Sequence, residues 1–293
     1  MIIISAVLEY PPDESSKFHK DNRVGYFPSV SAGWNVHQEK WFQNPVMSKL
    51  KIRASYGELG ANFLNPYNFD AIAYGPIPYT VGGERYVTGR AAYLKSKDLK
   101  WETAKTTDIG IELGFFNNDL TLSLDYFVKK NVDLLAQIDL NLSSGQIFEI
   151  NSSREKPYVN TASVKNTGWE FMMNYRKQLT KDFHIDATFN IATLKNKVLS
   201  LGENVQPITS GAMSSYFNDA ASITMPGEAI GSFYGYKIDG FDAEGNFIFA
   251  DTDKNGVVNA NDKVILGSPI PDFTYGLNIN MEYKDFDLTV FFQ

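Results

Sequence analysis

The fold is decided by a short alternating stretch, Thr107-Asp108-Ile109-Gly110-Ile111-Glu112-Leu113-Gly114-Phe115. Its large apolar side chains occupy every second position, and Asp, Gly and Glu fill the positions between them. A period of two places the apolar side chains on one face of a β-strand and the polar ones on the other. The turn residues Asn117-Asn118-Asp119 follow, and residues 120–128 then alternate in the same way. The segment therefore predicts a hairpin with one apolar and one polar face.

The same pattern recurs along the chain. It predicts two further hairpins, 169–176 with 183–191 and 275–283 with 286–292, and single strands at 2–7 and 50–56. These strands run about 9–12 residues, whereas strands of globular sheets are usually about 5–6 residues long. About 9–11 residues is the length that crosses a bilayer as a tilted strand. Strand length therefore favours a membrane barrel.

The connections between the predicted strands are strongly unequal. Turns within hairpins are tight, whereas the connections at 63–99, 139–165 and 198–271 are long. Short turns on one side and long loops on the other are typical of outer-membrane barrels, as are aromatic residues near strand ends. The polar faces carry charges in mid-strand, which a water-filled lumen permits. A soluble β-sandwich also has alternating strands and remains the alternative at this point.

Composition excludes several classes of function. The chain has 293 residues, a formal net charge of -7 and a pI near 5.1, which argue against a nucleic-acid partner. The absence of cysteine excludes disulfides, iron–sulfur clusters and thiol nucleophiles. The three histidines, at 19, 37 and 184, are far apart in sequence, and no catalytic constellation occurs. We therefore expect a protein that is not an enzyme.

The two ends of the sequence indicate a piece of a longer protein. The N-terminus lacks a secretory leader, and no run of 18 apolar residues predicts a transmembrane helix. Both ends read as β-strands without a turn or tail beyond them, which would leave two sheet edges exposed. The sequence therefore predicts a fragment of a longer protein.

Six motifs then follow one another in a fixed order. They are RVGYFPSVSAGW at 23–34, KIRASYG at 51–57, KDLKWE at 97–102 continuing to LDYF at 124–127, VKNTGWE at 164–170, GEAIGSFYGY at 227–236 and GSPIPDFTYG at 267–276. Each is similar to a motif of the SusC/RagA family of TonB-linked outer-membrane proteins. Any one of them is a weak match, but six in order are specific, and together they cover nearly the whole chain.

The resemblance implies a partial antiparallel transmembrane β-barrel: residues 1–293 would supply roughly ten strands from the C-terminal part of a barrel of about 22. The plug domain, the TonB box and the final strand of the family are absent from the sequence. The resemblance also implies import of oligosaccharides, other glycans or peptides across the outer membrane of a Gram-negative bacterium. The implied partners are a SusD-like lid lipoprotein, the TonB–ExbB–ExbD system and outer-membrane lipid.

A local motif points to a metal. Numbered as a 12-residue calcium loop, residues 251–262 place candidate ligands at Asp251, Asp253, Asn255, the Val257 carbonyl and Asp262, with Gly256 at the sharp turn. Asp replaces the usual bidentate Glu at the last position, which predicts a looser final ligand. The flanking residues predict strands in place of the helices of an EF-hand. The alternative is an acidic turn exposed to solvent.

The motif lies in a predicted extracellular loop, residues 240–272, which a structural Ca²⁺ would pin in place. A second functional hypothesis follows from the same residues. The chain would then be a soluble, calcium-stabilised all-β surface domain that binds glycans and folds in water without detergent.

Overall fold

The computed structural model describes residues 4–64, 73–91, 98–137, 158–202, 205–212 and 220–293. These residues form β-strands joined by turns, with short 3-10 turns at Val36–Gln38 and Ala260–Asp262. The all-β prediction is therefore confirmed. Among the described helical turns, none is long and apolar enough to span a bilayer.

The main sheet has ten strands, all paired antiparallel. They are β1 (Ile4–Glu9), β4 (Ser29–Asn35), β5 (Met47–Ala61), β8 (Glu102–Phe115), β9 (Leu120–Gln137), β10 (Tyr158–Thr180), β11 (Phe183–Thr193), β12 (Lys195–Ser200), β19 (Phe273–Tyr283) and β20 (Phe286–Phe292). The spatial order is β1-β4-β5-β8-β9-β10-β11-β19-β20, and β12 continues beyond β11 along the same edge of β10. In the described part of the chain β1 and β20 are not paired with each other, so the sheet is an open portion of a barrel wall.

Smaller sheets occupy the connections between the long strands. They are β2 (Pro12–Glu14) with β3 (Val24–Tyr26), β6 (Ala73–Val81) with β7 (Glu84–Ala91), β16 (Ile238–Phe241) with β17 (Phe247–Phe249), and a four-stranded sheet of β13 (Ile208–Ala212), β14 (Ala220–Thr224), β15 (Ser232–Tyr236) and β18 (Lys263–Gly267). The predicted connections at 63–99, 139–165 and 198–271 all fall partly outside the described residues.

The three predicted hairpins are confirmed as β8–β9, β10–β11 and β19–β20. Their turns lie at one end of the sheet, which we call the tight-turn end; the opposite end is the long-connection end. In the β8–β9 turn, Asn117 and Asn118 have φ values of 59° and 68°. Asn tolerates this left-handed conformation better than most residues, which explains why these residues form the turn.

Several strands are longer than predicted, because β9 has 18 residues and β10 has 23. Beyond the alternating segments the two strands continue to pair, up to Tyr158 opposite Gln137. The extended parts of β9 and β10 are paired by backbone hydrogen bonds, which do not require alternating side chains. The alternating pattern therefore predicted only the part of each strand that has one apolar face.

The two faces of the main sheet differ as predicted. On the apolar face, Ile109, Trp169 and Leu288 are 54%, 52% and 54% exposed. A soluble sandwich would cover such a face with a second sheet. In the described residues, the buried clusters lie instead at the long-connection end, one around Phe18, Leu64 and Leu99 and the other around Val164 and Val198. The sandwich alternative is therefore wrong, and the sheet has the form of a barrel wall.

Candidate functional site

The calcium-type loop, residues 251–262, is held at both ends by β-ladders. It follows β17, and the Ala250 amide donates to the Lys237 carbonyl at 2.9 Å. It leads into β18, where Lys263 lies opposite Tyr236 of β15. The prediction that strands flank this loop is confirmed, and the ladders bring its two ends together.

The loop gathers three carboxylates. Asp251, Asp253 and Asp262 each place one oxygen within 4.8 Å of the others. The Asp251 carboxylate accepts hydrogen bonds from the amides of Asn255, at 3.1 Å, and Gly256, at 2.7 Å. Gly256 has a φ of 87°, a left-handed conformation that a residue with a Cβ rarely adopts. The backbone therefore wraps around a compact group of negative charges, and a divalent cation would offset their mutual repulsion.

Asp262 has a second role that the sequence analysis missed. Its side chain is fully buried, and it accepts hydrogen bonds from the amides of Thr252 at 2.7 Å and Asn259 at 2.8 Å. The Asn259 side chain in turn accepts from the Asn261 amide, which completes a capping box around the 3-10 turn. Asp262 thus ties the start of the loop to its end. The spacing Asn259-x-x-Asp262 was the available sequence signal.

These hydrogen bonds also set the charge of Asp262. The Asn259 amide holds the pKa of Asp262 below its usual value; burial opposes this effect, and the amides of Asp253 and Thr252 reinforce it. The carboxyl group is therefore ionised at neutral pH, as a ligand for a hard cation must be. Asp242, in the turn between β16 and β17, has its pKa lowered mainly by the Asn246 side chain.

The other two predicted ligands belong to the same turn. Asn255 donates its side-chain amide to Asp253 at 2.8 Å and accepts from the Val257 amide at 2.8 Å. The Val257 carbonyl accepts from the Asn259 side chain at 3.0 Å. Both oxygens engage protein donors, so their predicted role as metal ligands stays a prediction.

The polar face of the main sheet holds a second cluster of charges. Arg53 donates to Asp108 at 2.8 Å and to Asp125 at 2.5 Å. Arg53 and Asp125 lie on either side of Gly110 in the ladder, and a Cβ on Gly110 would lie 1.9 Å from the Asp125 carboxylate. The predicted mid-strand charges are therefore paired within the wall. The alternating pattern does not identify Arg53 and Gly110 as site residues, because their partners are set by the register between strands.

The apolar face carries aromatic residues at two levels. Near the tight-turn end, Phe183 and Tyr283 lie opposite each other, with ring centroids 6.3 Å apart. Toward the long-connection end, Tyr126 and Trp169 are opposite neighbours with centroids 4.8 Å apart, and Phe273 begins β19. The ten steps from Phe273 to Tyr283 span about 33 Å along the strand and about 25 Å along the axis of a tilted barrel. That height equals the apolar band of an outer-membrane barrel.

Comparisons with known proteins agree with this architecture. Residues 10–292 match the family described as TonB dependent receptor-like, beta-barrel. The chain is 35% identical to TonB-dependent receptor P3 of Formosa agariphila, over 96% of this chain and 29% of that protein. It is 32% identical to TonB-dependent receptor SusC of Bacteroides thetaiotaomicron, over 94% of this chain and 28% of that protein.

Solved structures share the fold. The RagAB peptide importer in its open-open state superposes with a TM-score of 0.80 at 22% identity, covering 98% of this chain and 30% of the importer chain. The chain thus spans less than a third of the length of these relatives. The sequence relatives are named as receptors and not as enzymes.

Proposed function

The chain belongs to the TonB-dependent receptor-like β-barrel family, and from this premise we propose that it forms part of the wall of an outer-membrane importer. The cargo is an oligosaccharide or other glycan, or a peptide. The observation that carries the proposal is the two-faced sheet, with an exposed apolar face between two aromatic levels and a charged polar face. Such a sheet suits a wall with lipid on one side and water on the other.

The proposed energy source and partners follow from the relatives. TonB-dependent receptors are named for their coupling to TonB, so the receptor that contains this chain would draw energy through the TonB–ExbB–ExbD system. A SusD-like surface lipoprotein would cover its mouth, by analogy with the SusC relative. The name of the RagAB structure supports peptides as one cargo class, and the resemblance to the SusC/RagA family supports oligosaccharides as the other.

Cysteine labelling in intact cells tests the placement: these 293 residues contain no cysteine, and labelling of the unsubstituted receptor gives the background. Lys254, in the calcium-type loop, and Lys181, in the β10–β11 turn, would each be replaced by cysteine in the receptor. A membrane-impermeant maleimide should label position 254 on intact cells. Position 181 should react only after the outer membrane is permeabilised. Equal labelling of both positions on intact cells would contradict the proposed orientation.

Uptake measurements test the activity. Cells lacking the receptor gene would be compared with complemented cells for uptake of fluorescent oligosaccharide and peptide pools. We expect uptake of one pool to require both the receptor and TonB, and to stop when the proton gradient is dissipated. Unchanged uptake of both pools in the deletion strain would refute the proposed cargo classes.

A structural Ca²⁺ in the calcium-type loop is a second proposed function, supported by the three carboxylates gathered there. The ion would pin the segment between β17 and β18 at the cell surface. Calorimetric titration of the detergent-solubilised receptor with Ca²⁺ tests it. Asp253→Asn, which removes one charge from the cluster, should weaken binding. Asp242→Asn, which changes an acidic turn outside the cluster, should leave it unchanged.

A further inference from the structure

Four lysines form a row across neighbouring strands of the wall. Lys105 of β8 lies opposite Lys130 of β9, Lys130 lies opposite Lys165 of β10, and Lys165 lies opposite Lys197 of β12. Directly opposed residues share a face of the sheet, with Cβ atoms about 5 Å apart. We call this set the lysine row. It is notable in a chain whose formal net charge is -7.

The lysine row lies on the apolar face, beyond its aromatic level. Lys130 follows Tyr126 by four residues in β9, and Lys165 precedes Trp169 by four residues in β10, so the even spacing keeps each pair on one face. Four steps amount to about 13 Å along the strand, or about 10 Å along the axis of a tilted barrel. Because aromatic residues mark the interface, the row lies at the depth of the lipid head groups on the long-connection side.

Internal ion pairs do not neutralise the row. Lys105 donates to Glu58 at 3.0 Å, but Lys130, Lys165 and Lys197 make no ion pair with any described residue. Like charges directly opposite each other destabilise a sheet. The neighbouring lysine side chains of the row therefore repel each other, and a bound anion would reduce this repulsion.

We propose that the lysine row binds the phosphate-bearing head group of a lipid in the leaflet at the long-connection end. The inference rests on the proposed outer-membrane placement, which sets the row at head-group depth. Because the Cβ atoms of neighbouring row lysines are about 5 Å apart, two flexible side chains can converge on one phosphate, and Lys stems extend along apolar surface to reach it. Acyl chains of the same lipid would cover the aromatic pair Tyr126 and Trp169 below the row.

A neighbouring cleft supplies room for the rest of the head group. Its volume is about 700 Å³, and it runs from Trp169 past Lys195 and Lys197 to Glu228 and Asp272. Its two carboxylates are matched in number by Lys195 and Lys197, so the cleft offers no net positive charge to a phosphate. The phosphate is therefore assigned to the lysine row, and the uncharged part of the head group to the cleft.

Lipid binding by the intact receptor tests the proposal. The triple variant K130Q/K165Q/K197Q, the row variant, would be compared with wild type in neutral detergent. Binding of dioleoyl phosphatidic acid would be measured by native mass spectrometry, with phosphatidylcholine of the same chains as head-group control. Each lysine near an anionic lipid surface contributes about fivefold, so we expect the row variant to bind phosphatidic acid about 100-fold more weakly. Binding of phosphatidylcholine should not change.

A second triple variant, K181Q/K237Q/K284Q, removes the same charge from other exposed positions and should bind like wild type. Replacing the row lysines by arginine should preserve binding, because guanidinium groups also pair with phosphate. Without anionic lipid, the row variant should melt no lower than wild type, since the substitution removes repulsion. Wild-type affinity in the row variant, or equal loss in the second triple variant, would overturn the proposal.

Two further measurements separate the alternatives. Inorganic phosphate added to the titration should not displace the lipid; full displacement would show that the row binds phosphate without a membrane and would overturn the lipid assignment. Cysteine labelling at position 254 reports the outer-membrane placement independently. Failure of that labelling counts against the proposed function, whereas lipid binding that does not depend on the row lysines, in a correctly placed receptor, counts only against the proposal for the lysine row.

Discussion

Gly110→Ala should destabilise the wall by disrupting the charge cluster on its polar face. The new Cβ would lie 1.9 Å from the Asp125 carboxylate and 3.0 Å from the Arg53 guanidinium. Asp125 is only 7% exposed, and its carboxylate also accepts a hydrogen bond from the Ser123 hydroxyl. To make room for the new Cβ, the carboxylate must move, which breaks its 2.5 Å contact with Arg53. The substitution therefore changes a paired charge without removing any polar group.

The expected size follows from two opposing effects. A hydrogen bond to a charged group contributes about 1.5–3 kcal/mol. Replacing glycine by alanine inside a strand recovers about 0.5–1 kcal/mol of conformational entropy. The net loss for Gly110→Ala is therefore about 1–2 kcal/mol.

Gly57→Ala is the matched control. Gly57 lies in β5, and the nearest atom to its Cβ would be the Ser29 Cβ at 3.6 Å, an ordinary contact. This variant should be stabilised by about 0.5–1 kcal/mol, so the two alanine variants should differ by about 1.5–3 kcal/mol.

The assay is chemical unfolding of the detergent-solubilised receptor, followed by the mobility shift between folded and unfolded barrels on unheated gels. Adding Asp125→Ala removes the group that clashes, so Gly110→Ala should then stabilise the wall by about 0.5–1 kcal/mol, as Gly57→Ala does. The coupling between the two substitutions should be about 1.5–3 kcal/mol. The reasoning is refuted if Gly110→Ala and Gly57→Ala shift stability equally, or if Gly110→Ala and Asp125→Ala are additive.

Three further predictions concern the loop and the lipid-facing surface. Asp253→Asn should raise the Ca²⁺ concentration needed to protect residues 251–262 from proteolysis, because it removes one charge from the carboxylate cluster; wild-type protection would count against the metal site. The pKa of Asp262 in the folded protein is below the ordinary value of 3.8, so the stabilisation from its charge is fully present above pH 3.8 and is lost as the pH falls through the lower folded pKa. Hydrogen exchange in the loop should therefore accelerate only in strong acid. The Asp262→Asn variant should lack this pH dependence. Ile279→Lys, on the lipid face near mid-height, should destabilise the barrel by about 2–4 kcal/mol, whereas Thr289→Lys on the polar face should stay within about 1 kcal/mol; equal effects would contradict the assignment of the faces.

The calcium-type loop shows how far a local motif predicts a site. The spacing of Asp251, Asp253 and Asp262 correctly indicated that their carboxylates converge, because twelve residues with a left-handed glycine fold on themselves. The clamp formed by Asp262 was not predicted. The spacing of the ligands predicts which side-chain oxygens can reach an ion. The burial of the Asp262 carboxylate between the amides of Thr252 and Asn259 depends instead on how the loop closes.

The sequence by itself determined the faces and the hairpins. A period of two is a property of consecutive residues, and tight turns such as Lys181-Asp182 join strands that are neighbours in the chain. Residue patterns therefore sufficed to predict β8–β9, β10–β11 and β19–β20, as well as the polar and apolar sides of the wall.

Only the tertiary structure decided which residues meet across the long connections. The β5–β8 and β11–β19 pairings each span a long connection that contains several short strands, and the register of such a pairing is set by the complete ladder. Arg53 and Asp125 are 72 residues apart, and the lysine row joins four strands. If one strand shifted by two residues, the apolar and polar faces would stay the same, but these charged groups would no longer lie opposite each other. The alternating pattern alone therefore cannot predict these contacts.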